Sequence, residues 1–304
     1  MRNSMTPIPF PAAEQGVVTT SNLTRRFGSK AALDDVSLSV PRGSVFGLVG
    51  ENGAGKSTLI KHILGLWRAQ AGEVRVFGLD PVSDPVAVLS RIGYLSEQPD
   101  LPEWMTVSEF IRYTQAFCPK WDSQYAEELR QQFGLDRDKR IRVLSKGQRA
   151  KLGLLGAQAH RPDLLLLDEP SSGLDPIVRS DILAAVIRTV ADEGRTVFFS
   201  SHLLEEIERV ADHVAMLHQG KLALCAPLDE IKVQYRRILL RFDTPQNQAP
   251  RVPGALSVNG SGREWTILCN QPLKTNLVTH IVDDQAASLS DIFVGIAGGV
   301  YSHA

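Results

Sequence analysis

Short, mainly apolar runs recur at residues 45–49, 164–167, 196–200 and 213–217. Runs this short, without polar alternation, predict strands buried on both faces of a parallel sheet. The segments between them follow a different rule. Residues 56–66, 176–193 and 202–210 space their apolar positions at helical intervals, and Pro176 stands in the first turn of its segment, where a missing N–H costs nothing. Strand and helix in alternation predict an α/β fold, a parallel core sheet with helices on both faces.

Three regions depart from that rhythm. Residues 16–40 alternate apolar and polar positions around turn signals at Phe27-Gly28-Ser29-Lys30 and Pro41-Arg42-Gly43, which predicts an antiparallel β subdomain that residues 73–77 extend. At Thr106-Val107-Ser108-Glu109 a threonine precedes a glutamate by three, the pattern of a capping box, and opens a helix through Phe110, Ile111, Tyr113 and Phe117. With a second helix at 123–133, residues 100–160 read as a helical insertion. Gln219-Gly220 reads as a hairpin turn into a strand at 222–225. Beyond Tyr235 the texture changes again, with strands at 236–242 and 264–269 and a short helix at 291–296 capped by Ser290. The expected organisation is a loose tail at 1–15, a main domain at 16–235 and a small α+β appendage at 236–304.

Bulk properties narrow the class without naming it. The chain has 304 residues, 43% hydrophobic and 22% charged, ordinary for a globular protein with a sizeable core. A formal net charge of −1 argues against a nucleic-acid partner held by a strong basic field. Cys118, Cys225 and Cys269 are far apart and form no Cys-x-x-Cys pair, so they read as reduced packing residues of a cytoplasmic protein. No apolar stretch approaches the roughly 18–20 residues of a membrane span, so any work at a membrane needs another chain to cross it.

The chemistry begins at Gly50-Glu51-Asn52-Gly53-Ala54-Gly55-Lys56-Ser57-Thr58. This is a phosphate-binding loop between a buried strand and a helix. Its glycines let successive N–H groups turn toward phosphate oxygens, and the helix N-terminus adds a favourable dipole. Lys56 supplies a charge for the β- and γ-phosphates, and the Ser57 hydroxyl is placed for Mg²⁺. Downstream, the strand at 164–167 ends in Asp168-Glu169, one carboxylate suited to the Mg²⁺ shell and one to orienting or deprotonating water. His202 closes the strand at 196–200 and can meet the γ-phosphate or that water. Leu144-Ser145-Lys146-Gly147-Gln148 offers a hydroxyl and N–H groups ahead of a helix expected near Arg149, a second anion site. Ser172-Gly173-Leu174-Asp175-Pro176 is a tight link just past the acidic pair.

In this order, the five motifs resemble the ATP-binding subunit of an ABC transporter, most closely the single-domain subunits of bacterial export systems, over roughly residues 16–227. The resemblance implies a P-loop NTPase of ABC type that hydrolyses ATP with Mg²⁺. It implies a head-to-tail pair in which each ATP lies between one chain's Lys56 loop and the partner's Ser145, Lys146, Gly147 and Gln148. Asp175 falls in the loop between the paired domains, and Phe27 falls where the family stacks an aromatic on adenine. A membrane permease would be the further partner, with this chain peripheral on the inner face of the cell membrane. Trp104, Trp121 and Tyr94 are candidates to dock it.

Two departures stand out. Lys146 replaces the family's usual signature glycine. In Ile92-Gly93-Tyr94-Leu95-Ser96-Glu97-Gln98-Pro99, the family's Mg²⁺-sensing glutamine aligns with Glu97, and Gln98 stands one place late. A carboxylate there would bind Mg²⁺ more strongly than an amide and would sit near Glu169, where two neighbouring carboxylates raise the pKa of one. Other readings are a soluble ABC ATPase without transport, or a regulatory module that binds ATP without cleaving it. The presence of both Glu169 and His202 weighs against the last.

Overall fold

The computed structural model describes residues 16–191, 194–270 and 279–297; the tail at 1–15 and the last two positions of the helix read at 176–193 lie outside them. The chain divides into two compact units, one ending at Cys225 and the next beginning at Ala226.

In the first unit, β1 (Val18–Phe27) and β2 (Lys30–Val40) form an antiparallel hairpin, with Val18 opposite Val40. β3 (Val45–Val49) runs into the phosphate-loop segment and α1 (Lys56–Ile63) leaves it. β4 (Ala71–Val76) returns to pair with β1, completing the antiparallel sheet β2-β1-β4. After α2 (Pro85–Leu89) and β5 (Ile92–Leu95) come the helices of the insertion, α3 (Val107–Phe117), α4 (Ser123–Gln132) and α5 (Lys146–Gln158). The Thr106–Glu109 capping box forms in both directions, with Glu109 N–H donating to Thr106 Oγ1 at 3.2 Å and Thr106 N–H to Glu109 Oε2 at 2.7 Å. β6 (Leu164–Asp168), α6 (Pro176–Ala191), β7 (Thr196–Ser201), α7 (Leu204–Val210), β8 (His213–His218) and β9 (Lys221–Pro227) follow.

The core sheet has the order β5-β6-β7-β3-β8-β9. Every residue of β3, β6 and β7 is buried, including Asp168 and the Thr196, Ser200 and Ser201 that flank the apolar centre of β7. Phe46 and Phe198, side by side on β3 and β7, stack with ring centroids 5.5 Å apart, a pairing worth about 0.5–1.5 kcal/mol beyond its area. Gln219 and Gly220 both take positive φ, 49° and 80°; this primed turn matches strand twist and closes the β8–β9 hairpin.

Register is what assembles the site. Val49 pairs with Ser201, and Asp168 with Ser200, all in parallel alignment. The segments after β3, β6 and β7 therefore leave the sheet at one edge, the carboxyl edge where open α/β sheets bind ligands.

The second unit holds α8 (Leu228–Gln234), then β10 (Arg236–Gln246), β11 (Ala255–Cys269) and β12 (Thr279–Ala286) in the antiparallel order β11-β10-β12, and α9 (Leu289–Ala297). Its core gathers Ile238, Leu240, Phe242, Trp265 and Ile267. The unit begins before Tyr235 because α8 belongs to it: Lys232 Nζ donates to Ala287 O at 3.1 Å and Ala287 N–H to Tyr235 O at 3.0 Å. The final helix is capped by Ser288, not Ser290. Ser288 Oγ accepts from Asp291 N–H at 3.0 Å, and Ser290 lies inside the helix.

Candidate functional site

The phosphate loop takes the curl its glycines permit. Gly53 has φ 80° and Gly55 φ 114°, and a Cβ on Gly55 would lie 2.3 Å from Ala32 O. Both conformation and space exclude a side chain there. Lys56 then folds back beneath the loop, only 6% exposed, with Nζ donating to Gly50 O at 2.5 Å and Glu51 O at 3.2 Å.

Across the sheet edge, that ammonium meets Glu169. Lys56 Nζ lies 3.1 Å from Glu169 Oε1, and both side chains are almost fully buried. Among the described residues no hydrogen-bond donor is aligned on Oε1, so charge alone holds this contact. The other oxygen, Oε2, lies 2.6 Å from His202 Nδ1 and accepts from His202 N–H at 3.2 Å. Because a carboxylate only accepts, the ring nitrogen facing it donates, which leaves Nε2 for another partner. Glu169 holds this position in a left-handed backbone, φ 50°. That conformation costs a non-glycine residue on the order of 1–3 kcal/mol and concentrates at functional sites. Its N–H donates to Ser200 Oγ at 3.0 Å, which helps fix it.

Asp168 is the strand's last residue and buried. Its Oδ1 accepts from Ser200 Oγ at 2.8 Å. Burial, first of all, raises its carboxyl above the usual range; the Ser200 and Ser57 hydroxyls pull it back, and the charges of Glu169 and Glu97 push it further up. The raised acid is thus Asp168, with Glu97 as one contributor. Glu97 itself is exposed, and its Oε1 accepts from Ser172 Oγ at 3.2 Å.

A carboxylate, a serine hydroxyl and surplus negative charge fit a hard cation. Mg²⁺ takes one or two protein oxygens and completes its shell with phosphate and water, and the Asp168 carboxylate and Ser57 hydroxyl are donors of that kind.

Five predicted residues stand apart from this cluster. Ser145 caps α5 in a capping box with Gln148, through Gln148 N–H to Ser145 Oγ at 3.1 Å and Ser145 N–H to Gln148 Oε1 at 3.0 Å. The helix consequently starts at Lys146, not near Arg149; the Ser-x-x-Gln spacing is the signal for it. Ser145 Oγ accepts there, so its own O–H remains for an anion. Lys146 is exposed, with Nζ over Gly173, where an added Cβ would meet it at 2.5 Å. Gly147 packs on Val178 of α6, so the signature is seated on the link at Gly173 and on the first turn of the helix that follows it. Asp175 caps α6, its Oδ1 accepting from Ile177 and Val178 N–H at 3.1 Å each.

Phe27 is 45% exposed at the end of β1, edge-on to Trp67 at 5.4 Å, with the Arg25 guanidinium 5.0 Å from its ring. Trp67 was not singled out by spacing, because it joins Phe27 only through the fold. Among the docking candidates, Trp104 is 68% exposed and Tyr94 is exposed, whereas Trp121 is half-buried within the insertion.

Known proteins resemble this chain in sequence and fold. The profile of the ABC transporter family matches residues 33–172. The bacitracin transport ATP-binding protein BcrA of Bacillus licheniformis is 33% identical over 235 residues, 77% of each chain. The ABC transporter ATP-binding protein YtrB of Bacillus subtilis is 29% identical over 289 residues, covering 93% of this chain and 99% of its own length. A solved ATP-binding subunit of an ABC transporter superposes with TM-score 0.65 at 30% identity, covering 72% of this chain and 92% of that one. With its phosphate loop, acidic pair and histidine converging on one sheet edge, the chain belongs to the ATP-binding subunits of ABC transporters.

Proposed function

We propose that this chain hydrolyses ATP as one of a pair and so drives export through a separately encoded membrane permease. The observation that carries the reading is the buried chain of contacts Lys56–Glu169–His202, which places a carboxylate beside the phosphate loop. In this reading the loop at Gly50–Thr58 cradles the phosphates and Lys56 faces the β- and γ-phosphates. Water attacks the γ-phosphorus, the bond to the β-phosphate oxygen breaks, and Glu169 takes the water's proton. His202 holds Glu169 through Nδ1 and offers Nε2 to the attacking water. Phe27 stacks on adenine. Ser57, Asp168 and Glu97 hold Mg²⁺, which supplies charge neutralisation at the phosphates.

Ser145–Gln148 would serve the partner's nucleotide, since none of its hydrogen bonds reaches the chain's own cluster among the described residues. Asp175 lies on the link that would face the partner. A composite site has a direct test. Chains bearing Glu169→Gln and Ser145→Arg are each expected to be inert, and mixing them before ATP is added should restore turnover to about a quarter of the native rate. Half of the pairs are then mixed, and each of those holds one intact site. No recovery on mixing, with native chains exchanging normally, would sink the shared-site reading.

For the cation, Glu97→Gln is expected to raise the Mg²⁺ concentration for half-maximal hydrolysis by about 10–100-fold, the usual scale for groups that support a metal. A shift seen only with Gln98→Ala would reverse the register.

Among the described residues no helix is long and apolar enough to cross a membrane. Docking of a permease is supported by an apolar groove of about 470 Å³ lined by Val86, Leu89, Phe117 and His160. Val86 and Phe117 are strongly exposed, and His160 also lines the hollow beside Tyr94. An amphipathic cytoplasmic helix of the permease is the occupant this shape and chemistry suit. Trp121 is less suited to such contact, because it lines a separate hollow within the insertion.

A further inference from the structure

One buried carboxylate plays no part in this scheme. Glu206, on α7 one turn beyond His202, is 3% exposed. Its Oε2 accepts from Ser171 Oγ at 2.6 Å and from Ser201 Oγ at 2.9 Å. Its Oε1 lies 3.1 Å from Arg179 Nε. Those three partners come from three segments. Ser171 stands two residues after Glu169, Ser201 immediately before His202, and Arg179 on the first turn of α6 after the Asp175-Pro176 link. Ser201 Oγ also accepts from Leu203 N–H at 3.0 Å, so the same hydroxyl shapes the turn that carries His202.

We infer that Glu206 is a positioning residue for hydrolysis, a buried clasp that holds the Glu169 and His202 segments in register and ties both to the partner-facing link through Arg179. The inference rests on the reading of Glu169 as the base. Glu169 itself reaches the neighbouring segment through Ser200 and His202, and behind those contacts the Ser171–Glu206–Ser201 bridge joins the two segments again. The bridge does not touch the Glu169 carboxylate; it fixes the backbone on either side of the Glu169–His202 contact. Glu169 needs such restraint because its φ of 50° is a conformation it would leave if released. The third arm adds direction. Arg179 Nη2 also reaches Leu174 O at 3.4 Å, so the guanidinium spans from the link to the clasp. Engagement of the link by a partner chain therefore bears on the base through Arg179, Glu206 and Ser171, and hydrolysis becomes sensitive to pairing.

The test compares five variants for kcat, KM and ATP-analogue affinity on the full chain. Ser171→Ala/Ser201→Ala keeps the Glu206–Arg179 pair and removes the bridge, together with the acceptor for Leu203 N–H, so Ser171→Ala alone accompanies it to cut the bridge without touching that turn. Both are expected to lower kcat by roughly 10–10²-fold, the scale of a misplacement of about 1 Å, with KM and analogue affinity within about 2-fold of native. Glu206→Ala should fall at least as far. Glu206→Gln, which keeps an acceptor oxygen for both hydroxyls but turns an NH2 donor toward Arg179 in place of the second carboxylate oxygen, should recover part of the loss. Glu169→Gln reports on the underlying reading, and inactivity there is required. If Glu169→Gln is inert while Ser171→Ala turns over normally, the clasp is overturned and the base stands. If Glu169→Gln itself turns over normally, the base reading falls, and the clasp with it. Should Glu206→Ala fail to fold, the serine variants decide alone. Equal losses in kcat and analogue affinity would mark Glu206 as a fold residue and overturn the inference.

Discussion

Glu169→Gln is expected to lower ATP hydrolysis by about 10²–10⁴-fold, the contribution of a well-placed general base, while ATP still binds. The substitution is close to isosteric, so the left-handed backbone at this position need not change. The amide oxygen can still accept from the histidine ring, in place of the carboxylate oxygen at 2.6 Å. Lys56 keeps its two carbonyl acceptors, Gly50 O and Glu51 O, and stays seated beneath the loop. What the amide cannot do is take a proton from water. Single-turnover hydrolysis and the binding of a fluorescent ATP analogue separate the two effects. A rate unchanged from native, with binding intact, would remove Glu169 from the chemistry and return the base to Asp168 or to solvent.

The residues of that experiment were legible in the chain because each belongs to a short motif whose spacing is set by chemistry. A phosphate loop needs its glycines and lysine at fixed intervals, and a buried strand announces itself by the unbroken run that ends at Asp168. The features that escaped have pairing or distance as their cause. β12 reads Thr-His-Ile-Val-Asp-Asp-Gln-Ala, too polar to suggest a strand; β10 makes it one by running alongside. β5 has four residues with a glycine among them, and its place at the sheet edge comes from β6. Ser290 abuts Asp291, but the capping relation requires a separation of three, which Ser288 has. The Glu206 clasp joins three segments through side chains alone, and no local pattern encodes such a meeting.

Removing the charge of Lys56 should cost stability as well as activity. Lys56→Met leaves Glu169 buried with its ammonium gone, and breaking a buried pair from one side is worth about 3–5 kcal/mol. Both side chains are nearly inaccessible, 6% and 7%, so solvent offers little compensation. For a domain of this size that loss lowers the unfolding temperature by roughly 6–20 °C. Two effects contribute, and a second substitution separates them. The stranded carboxylate is relieved in Lys56→Met/Glu169→Gln, whereas the hydrogen bonds to Gly50 O and Glu51 O stay lost in both variants. Each of those is worth only about 0.5–1.5 kcal/mol net, so the double variant should recover the larger share of the loss and still unfold below the native chain. Neither variant hydrolyses ATP, and the recovery is therefore one of fold alone. If the double variant unfolds no later than Lys56→Met, the ion pair is not what the single substitution broke. The loss would then lie in the loop's own hydrogen bonds, and Glu169 would need some other source of compensation for its burial. A full recovery to the native temperature would point the other way, to a loop whose conformation is held by its glycines and whose lysine contributes to stability only by answering Glu169.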